Sequence, residues 1–296
     1  MKKAIVSGAS GFIGCHLVEQ LLDNKWDVNI IVREKTDLKP IESFLNKLTV
    51  NEHDGTTECM VSIFNKVKPD ITFHLASLFL AKHESKDVVP LMESNIIFSS
   101  QLIEAMAVSG ASYLINTGTS WQHYKNEKYN PVCLYAATKQ AFEDIAKFYI
   151  DSKNIKMITL KLFDTYGPND KRKKIFNLLH NASKSNETLL ISKGEQLIDL
   201  VYIDDVIDAY FLALKRIQDS RTKIEEFAVS SGNPITLKEL VSIYEKTAEK
   251  SISVKWGALP YREREVMIPW NHGVPLPMWR PKISIEEGIK RILAIK

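Results

Sequence analysis

The stretch Ala4-Ile-Val-Ser-Gly8-Ala-Ser-Gly11-Phe-Ile-Gly14 determines the fold that we predict for this chain. A short apolar strand, Ala4–Val6, runs into regularly spaced glycines, and an amphipathic helix over Phe12–Leu22 follows. Such a turn presents backbone N–H groups at a helix N-terminus to a phosphate. The glycines alone are a weak signal, but a strand before them and a helix after them are the context that dinucleotide binding requires. The predicted dinucleotide contacts are Gly8, Ser10, Gly11, Phe12, Ile13 and Gly14.

Short apolar runs alternate with longer amphipathic runs beyond this stretch, as strands alternate with helices. Near-continuous apolar strands separated by helices are typical of a parallel sheet that helices cover on both faces. We therefore predict an α/β fold with a Rossmann-type, doubly wound parallel sheet. The further runs that support it are Val28–Val32, Leu48–Val50, Ile71–Leu75, Ser94–Ala107, Tyr113–Ile115, Tyr135–Ile150 and Met157–Phe163.

The pattern becomes less regular beyond Tyr166-Gly-Pro168. One isolated helix should begin at Thr236-Leu-Lys-Glu239, since this spacing of threonine and glutamate forms a capping box. We expect a cofactor-binding domain over residues 1–166 and mainly a smaller, partly interleaved C-terminal substrate lobe over residues 167–296. Segments near 188–206 and 226–232 are expected to return to the first domain.

The composition is that of an ordinary globular protein. The 296 residues are 45% hydrophobic and 25% charged, with a net charge of +3. Acidic and basic residues are interspersed, so neither nucleic-acid nor membrane binding is indicated, and the basic run Lys171-Arg-Lys-Lys174 is interpreted as a solvated loop that could also meet a substrate phosphate. The cysteines have no metal-binding spacing, and no apolar stretch of about 18 residues occurs. We expect a cytoplasmic protein without a metal.

The run Leu134-Tyr-Ala-Ala-Thr-Lys-Gln140 places a tyrosine four residues before a lysine. If the segment is helical, Tyr135 and Lys139 share one face and reach the same ligand. A free tyrosine titrates near pH ~10, and lowering its pKa to about 7 requires roughly 4 kcal/mol of preferential stabilisation of the phenolate. A nearby ammonium and a cationic nicotinamide could supply it. Such pairs are common by chance, but beside a dinucleotide site this pair predicts redox chemistry.

The end of the second strand, Ile30-Ile-Val-Arg33-Glu34, bears on the choice of nicotinamide cofactor. NAD-specific enzymes present an acidic residue to the ribose hydroxyls at this point, whereas a guanidinium suits a 2′-phosphate. Arg33 therefore favours NADP(H) over NAD(H), although Glu34 could still accept the ribose hydroxyls. Asp54 is either a contact for the adenine edge or an ordinary loop aspartate.

Together these motifs resemble the extended short-chain dehydrogenase/reductase family of nucleotide-sugar epimerases, dehydratases and reductases. The resemblance covers essentially the whole chain, and its tail looks most like CDP-abequose and CDP-paratose synthases, which are 4-ketohexose reductases of O-antigen biosynthesis. The segments that carry it are Gly8–Gly14, Lys68–Ala76, Asn95, Tyr135 with Lys139, Tyr166–Pro168, Gly194–Gln196, Asp199, Asp204–Val206, Gly257–Arg262, Glu265–Met267 and Trp279–Pro281.

The resemblance implies a third catalytic residue beside Tyr135 and Lys139, which also bind the cofactor. It is a hydroxyl at the end of the strand before their helix; Thr117 aligns best, with Thr119 and Ser120 as alternatives. Dehydratases carry an Asp-Glu pair just after this threonine, where the chain has Gly118-Thr119. Dehydration is therefore not expected.

Substrate contacts are also implied by the resemblance. The family usually has an arginine before the aspartate of its Gly-x-Gln-x-Arg-Asp motif, where it clamps the diphosphate, but this position is Ile198. Arg262 could replace it, with Arg264 or the basic run 171–174 as alternatives, unless Arg262 is only a surface salt-bridge residue. Thr119 and His123 are candidate sugar contacts. His123 and Tyr124 lie in a loop that borders the sugar in this fold, and either could shuttle a proton or be an ordinary loop residue. The strand end His74-Leu-Ala76 should supply a packed, satisfied histidine and two cofactor contacts, Leu75 and Ala76.

We therefore expect NADPH-dependent reduction of the C4 keto group of a nucleotide-linked 4-keto-6-deoxy or 4-keto-3,6-dideoxy hexose. One alternative is a nucleotide-sugar epimerase with resident NAD, and another is a non-catalytic NADP-binding regulatory protein. The resemblance implies a homodimer through helices that include Tyr135–Ile150. Nothing in the residues identifies the nucleotide, the deoxy sugar or the product stereochemistry.

Overall fold

A parallel sheet of seven strands organises the part of the chain that our computed structural model describes, residues 1–172, 174–185 and 187–294. The described residues also form short strands outside this sheet. In chain order, all the strands are β1 (Lys3–Ser7), β2 (Asp27–Val32), β3 (Thr49–Glu52), β4 (Ile71–His74), β5 (Tyr113–Thr119), β6 (Lys156–Leu162), β7 (Asp164–Tyr166), β8 (Leu189–Leu190), β9 (Leu197–Ile198), β10 (Leu200–Tyr202), β11 (Ile224–Val229), β12 (Ile235–Thr236) and β13 (Val254–Lys255). The sheet order is β11-β6-β5-β4-β1-β2-β3. The direction of winding reverses between β1 and β4, which is where doubly wound sheets bind ligands.

Helices cover both faces of this sheet, which confirms the predicted doubly wound α/β fold. They are α1 (Phe12–Asp23), α2 (Thr57–Val67), α3 (Val88–Met92), α4 (Phe98–Ser109), α5 (Leu134–Ser152), α6 (Ile175–Lys184), α7 (Ile203–Asp219), α8 (Leu237–Ala248) and α9 (Ile285–Leu293). Short 3₁₀ segments lie at Lys39–Lys47, Ser85–Asp87, Ser120–Gln122 and Tyr124–Asn126, and a π-helical turn, Glu93–Ile97, joins α3 to α4. Among these helices, none has both the length and the apolar character needed to cross a membrane.

The alternating direction of the side chains along each strand divides the hydrophobic core into two clusters, one on each face of the sheet. Ala4 and Val6 of β1 pack on the side of α1 and α7, whereas Ile5 packs on the side of α2, α4 and α5. Successive side chains of a strand point to opposite faces, so a sheet covered on both sides needs apolar residues at nearly every position. This requirement explains the continuous apolar runs.

The chain beyond Pro168 leaves the sheet and then returns to it. β11 joins β6 at one edge of the main sheet, and α7 packs against α1, β5 and β6. The remaining strands form two-stranded pairs, β10 with β7, β12 with β9 and β13 with β8. The boundary between residues 1–166 and 167–296 as separate domains stays a prediction.

Two local features compare directly with the sequence. The capping box at α8 is confirmed, because the Thr236 N–H donates to Glu239 Oε2 at 2.7 Å and the Glu239 N–H donates to Thr236 Oγ1 at 3.1 Å. In contrast, β5 continues to Thr119, beyond the apolar run that ends at Ile115. Its polar end remains paired with β6, with Thr117 opposite Leu160.

Candidate active site

The glycine turn after β1 forms a cradle that fits a pyrophosphate. Gly8 has a φ of +76°, and a Cβ on it would lie 2.6 Å from the backbone nitrogen of Ala76. A Cβ on Gly14 would lie 2.0 Å from the Gly8 carbonyl oxygen. Helix α1 begins at this turn with neither a side-chain cap nor an acidic residue in its first turn, so its N-terminal N–H groups favour an anion. The residues present therefore suit the predicted dinucleotide.

A cleft of about 240 Å³ at the carboxyl ends of β1, β4 and β5 brings the predicted catalytic residues together. Thr117 lines it from β5, and Tyr135 and Lys139 line it from α5. This is the crevice that the reversal of strand order predicts. Other predicted residues along the cleft are Gly8, Gly11, Phe12, Ile13, Gly14, Leu75 and Thr119.

The Tyr135 phenol holds its proton at neutral pH. Burial raises its pKa above the ordinary value of 10, and the Cys133 thiol adds to the effect, whereas Arg172 and the Ser77 hydroxyl oppose it. Phe79 stands edge-on to the phenol ring, with the ring centroids 5.0 Å apart. The low pKa that we considered from the sequence is therefore not a property of this buried tyrosine alone, because loss of solvent outweighs the nearby positive charge.

The Lys139 ammonium is also buried, but its pKa shifts in the opposite direction. Burial lowers the pKa from 10.5 to about 8; Glu143 opposes this shift and Lys161 adds to it. Lys161, fully buried on β6, donates to both carboxylate oxygens of Glu143 at 2.9 and 2.8 Å and lies 3.2 Å from Glu226. This ion network lies one helical turn from Lys139 along α5. Lys139 thus remains charged at neutral pH but loses its proton in mildly alkaline solution.

Asn95 fixes the loop after β4 against the helix that carries the catalytic pair. Its Oδ1 accepts from the backbone N–H of Leu78 at 2.7 Å and from the Ser77 hydroxyl at 3.1 Å. Its Nδ2 donates to the Leu78 carbonyl at 3.0 Å and to Thr138 Oγ1 at 2.9 Å. Asn95 belongs to the π-helical turn Glu93–Ile97, a distortion frequent at functional sites. The loop and α5 are therefore held as one unit.

The candidate hydroxyls at the end of β5 have different partners. Thr117 Oγ1 lies 2.6 Å from the hydroxyl of Tyr210, a fully buried residue of α7. Thr119 Oγ1 accepts from the Trp121 N–H at 3.3 Å and caps the short turn Ser120–Gln122. Thr119 is therefore a turn-former, which makes Thr117 a better candidate for chemistry than Thr119; Ser120, the other alternative, lines both cavities.

A second cavity of about 280 Å³ continues from the cleft. His123 lines it and stacks on Trp270, with ring centroids 3.9 Å apart. Arg262 also lines it, lies 5.1 Å from the Trp121 ring, and donates to the Glu265 carboxylate at 3.0 and 2.6 Å. Arg262 thus has both predicted features, a place at the pocket and a salt bridge. The residues common to both cavities are Phe79, Ser120, Trp121, Phe163, Asp164, Thr165 and Lys174.

Part of the basic run 171–174 faces these cavities. Arg172 donates to Asp170 at 2.7 Å and lines the cleft. Lys174 Nζ donates to Asp164 at 3.0 Å and lines both cavities. Lys173 lies outside the described residues. Lys171, Arg172 and Lys174 lie outside the helices and strands, as predicted for a loop, but Arg172 and Lys174 are half-buried beside the cleft and not fully solvated.

Three further residues that we predict to contact the cofactor, Arg33, Asp54 and Ser10, lie around the site. Arg33 is exposed at the end of β2, where its backbone N–H donates to Thr36 Oγ1 at 2.9 Å. The exposed Asp54 carboxylate accepts from the N–H and the hydroxyl of Thr56 at 2.8 and 2.7 Å. Ser10 is half-buried in the glycine turn. Their contacts with a cofactor stay predictions.

Sequence reasoning did not single out three residues near the catalytic group. Ser77 and Phe79 follow the carboxyl end of β4, a position that the doubly wound fold itself marks as ligand-facing. Tyr210, in the middle of an amphipathic helix, gives no sequence signal. In contrast, His74 is the packed, satisfied histidine that we predicted, since its ring nitrogens pair with the hydroxyls of Ser7 and Ser99, each at 2.8 Å.

Comparison with known proteins agrees with this geometry. The chain matches the NAD dependent epimerase/dehydratase family over residues 4–225. It is 26% identical to CDP-abequose synthase of Salmonella muenchen, over 100% of this chain and 98% of that protein. Among solved structures, UDP-glucose 4-epimerase of Thermotoga maritima with UDP-glucose is similar with a TM-score of 0.86 and 23% identity, over 98% of this chain and 97% of the other. The corresponding epimerase of Thermus thermophilus, in complex with NAD, has a TM-score of 0.83 and 23% identity over the same shares. The chain therefore belongs to the NAD dependent epimerase/dehydratase family, which confirms its resemblance to the extended short-chain dehydrogenases/reductases.

Proposed function

We propose that the protein uses NADPH to reduce the C4 keto group of a nucleotide-linked 4-keto-6-deoxy or 4-keto-3,6-dideoxy hexose, as abequose or paratose synthases do in O-antigen biosynthesis. The observation that carries this proposal is the single cleft that Thr117, Tyr135 and Lys139 share with the glycine turn. Full-length similarity to CDP-abequose synthase supports reduction, and Gly118-Thr119 lacks the carboxylates that dehydration needs.

Each catalytic residue has a distinct role in this reaction. The reduced nicotinamide, when bound, supplies a hydride to C4. Tyr135, kept protonated by the burial that raises its pKa, donates its proton to the developing alkoxide. Thr117 donates a hydrogen bond to the same oxygen, a contact that strengthens as negative charge grows. Lys139 binds the nicotinamide ribose and keeps positive charge near the phenol.

The second cavity is our proposed site for the sugar nucleotide. Arg262 and Lys174 line it and would bind a diphosphate by exchanging their carboxylate partners, Glu265 and Asp164, for it, while Ile198 lines the cavity without charge. Phe79 and Trp121, with ring centroids 5.6 Å apart, form an apolar surface beside Tyr135. Such a surface favours a sugar that lacks a C6 hydroxyl, because an unpaired hydroxyl there would lose its hydration. His123 and Thr119 are our candidates for further sugar contacts.

Epimerisation on a resident NAD is the second candidate function. The solved epimerases with UDP-glucose and with NAD favour it, since their fold matches the whole chain. An epimerase needs the same three residues but regenerates its cofactor. The two functions therefore differ in cofactor use: an epimerase purifies with NAD and consumes none, whereas a reductase oxidises NADPH in proportion to the alcohol formed.

The test offers purified protein a panel of 4-keto sugar nucleotides carrying CDP, dTDP, GDP or UDP with NADPH or NADH. Coenzyme absorbance gives the rate, and NMR identifies the product. Tyr135→Phe should lower kcat by about 10²–10⁴-fold, as expected for loss of a positioned acid, with little change in NADPH affinity. Tyr129→Phe, at an exposed tyrosine of a nearby loop, is the matched control and should retain full activity. Stoichiometric NADPH binding without turnover on any substrate would favour a regulatory protein.

We also propose a homodimer formed through α4 and α5. Val108 on α4 and Phe148 on α5 are 57% and 66% exposed, respectively, so an interface that covers both would remove apolar surface from water. Sedimentation equilibrium measures the assembly directly. A wild-type dimer that Phe148→Asp converts to a folded monomer supports the proposal, and a monomeric wild-type protein contradicts it.

A further inference from the structure

Tyr210 approaches the catalytic threonine from behind the cleft. It is fully buried in the middle of α7, which packs against β5 and β6. Its phenol oxygen lies 2.6 Å from Thr117 Oγ1, and within the described residues Thr117 is the hydrogen-bond partner of this phenol. The Tyr210 ring also packs beside Phe73 of β4, with ring centroids 6.3 Å apart. A rigid element of the core therefore presents one hydroxyl group to Thr117.

The direction of this hydrogen bond follows from what each hydroxyl can reach. A threonine hydroxyl can accept one hydrogen bond and donate another at the same time. If Thr117 donated to Tyr210, the phenol hydrogen would have no acceptor among the described residues, and an unpaired buried donor is costly. Burial also raises the pKa of the Tyr210 phenol, which keeps that hydrogen in place. Tyr210 therefore donates to Thr117, and the Thr117 hydrogen is left to point into the cleft.

We propose that Tyr210 is a positioning residue that orients the Thr117 hydroxyl as a hydrogen-bond donor to the substrate carbonyl. This inference rests on the proposed function, in which Thr117 contacts the oxygen on C4. Two hydrogen bonds in series, from Tyr210 to Thr117 and from Thr117 to the substrate, polarise each other as negative charge develops on that oxygen. Tyr210 transfers no proton; the transferred proton comes from Tyr135.

Single variants give the first measurement. Thr117→Val removes the donor and should lower kcat about 100-fold, whereas Tyr210→Phe keeps the donor but frees its orientation and should lower kcat about 10-fold. The KM for the sugar nucleotide and the affinity for NADPH should stay nearly unchanged, because the lost contact matters mainly in the transition state. Tyr244→Phe is the matched control, since Tyr244 is another fully buried tyrosine, on α8. It should retain the wild-type kcat.

The double variant separates positioning from a general structural effect. In the Thr117→Val background there is no hydroxyl to orient, so Tyr210→Phe should cause no further loss of kcat. Losses that multiply, or a Tyr210→Phe enzyme with wild-type kcat, overturn the proposal. If phenylalanine does not give a folded protein, 4-fluorophenylalanine at position 210 fills the space of the hydroxyl without donating, and the same outcomes apply. A wild-type protein inactive on every 4-keto sugar nucleotide contradicts the proposed function, and this proposal with it.

Discussion

NADPH binding should weaken in mildly alkaline solution because Lys139 loses its proton there. Burial lowers the pKa of this ammonium from 10.5 to about 8. In its proposed role the ammonium donates charge-assisted hydrogen bonds to the nicotinamide ribose, and the neutral amine can form only weaker ones. About nine in ten molecules therefore carry the ammonium at pH ~7, but only about one in ten at pH ~9.

The free energy that the hydrogen bond from Lys139 contributes to NADPH binding limits how far the NADPH affinity can fall. A hydrogen bond to a charged group contributes about 1.5–3 kcal/mol, and each 1.4 kcal/mol is roughly tenfold in affinity. NADPH affinity should be level near neutral pH and should fall by up to about tenfold per pH unit above pH ~8. It should level off after a total loss of roughly 10- to 100-fold, when the ammonium contact no longer contributes. A plot of NADPH affinity against pH should therefore be level near neutral pH, fall above pH ~8 and become level again at a lower affinity.

Fluorescence titration with NADPH between about pH 6.5 and 9.5 measures this profile without any sugar substrate. Lys139→Arg keeps its charge throughout this range, so its affinity should not depend on pH there. Cys133→Ser tests the neighbouring thiol, because burial raises the pKa of that thiol. This variant should show the same fall in NADPH affinity at alkaline pH as the wild-type protein. A flat wild-type profile, or the same fall in Lys139→Arg, would refute the assignment of this titration to Lys139.

Three further predictions concern the cradle, the cofactor choice and the fold. Gly14→Ala should weaken NADPH binding by about 100-fold or more in calorimetry, because its Cβ would lie 2.0 Å from the Gly8 carbonyl oxygen and the turn must move. Arg33→Ala should reduce affinity for NADPH by about 10- to 100-fold but leave NADH affinity unchanged; equal losses would exclude a 2′-phosphate contact. Thr236→Ala should lower the free energy of unfolding by about 1 kcal/mol in urea titrations, and an unchanged midpoint would contradict the role of its cap.

The fold was predictable where burial on both faces makes a strand apolar throughout. β1 and β2 satisfy that condition, and their predicted positions agree closely with the structure. The end of β5 does not, because Thr117 and Thr119 combine backbone pairing in the sheet with side chains that line the cleft. A polar run of this kind looks the same in sequence whether it is a loop or the functional end of a strand.

The site was predictable to the extent that its members are close together along the chain. Helical spacing brings Tyr135 and Lys139 together, and a tight turn brings Gly8 and Gly14 together. The contact between Thr117 and Tyr210 spans 93 positions and depends on how α7 packs, which no local pattern records. The basic run shows the same limit, since packing rather than composition decides that Lys174 faces a cavity.

Burial of Tyr135 also affects whether this residue more readily donates a proton to the substrate or accepts one from it. Oxidation of a sugar hydroxyl needs the phenolate as a base, whereas reduction of a ketone needs the phenol as an acid. The cleft raises the pKa of the phenol, and the ring of NADPH is neutral, so nothing about the reduced cofactor removes the proton before the alkoxide forms. An alkoxide is a stronger base than a phenolate, so proton transfer from a buried phenol to it remains favourable even with a raised pKa. An epimerase must in addition form the phenolate in the same cleft, with only the oxidised nicotinamide and Lys139 to offset the desolvation that opposes it. Burial of the phenol therefore favours the proton-donating step that reduction requires and opposes the proton-accepting step that the oxidative half of an epimerisation requires.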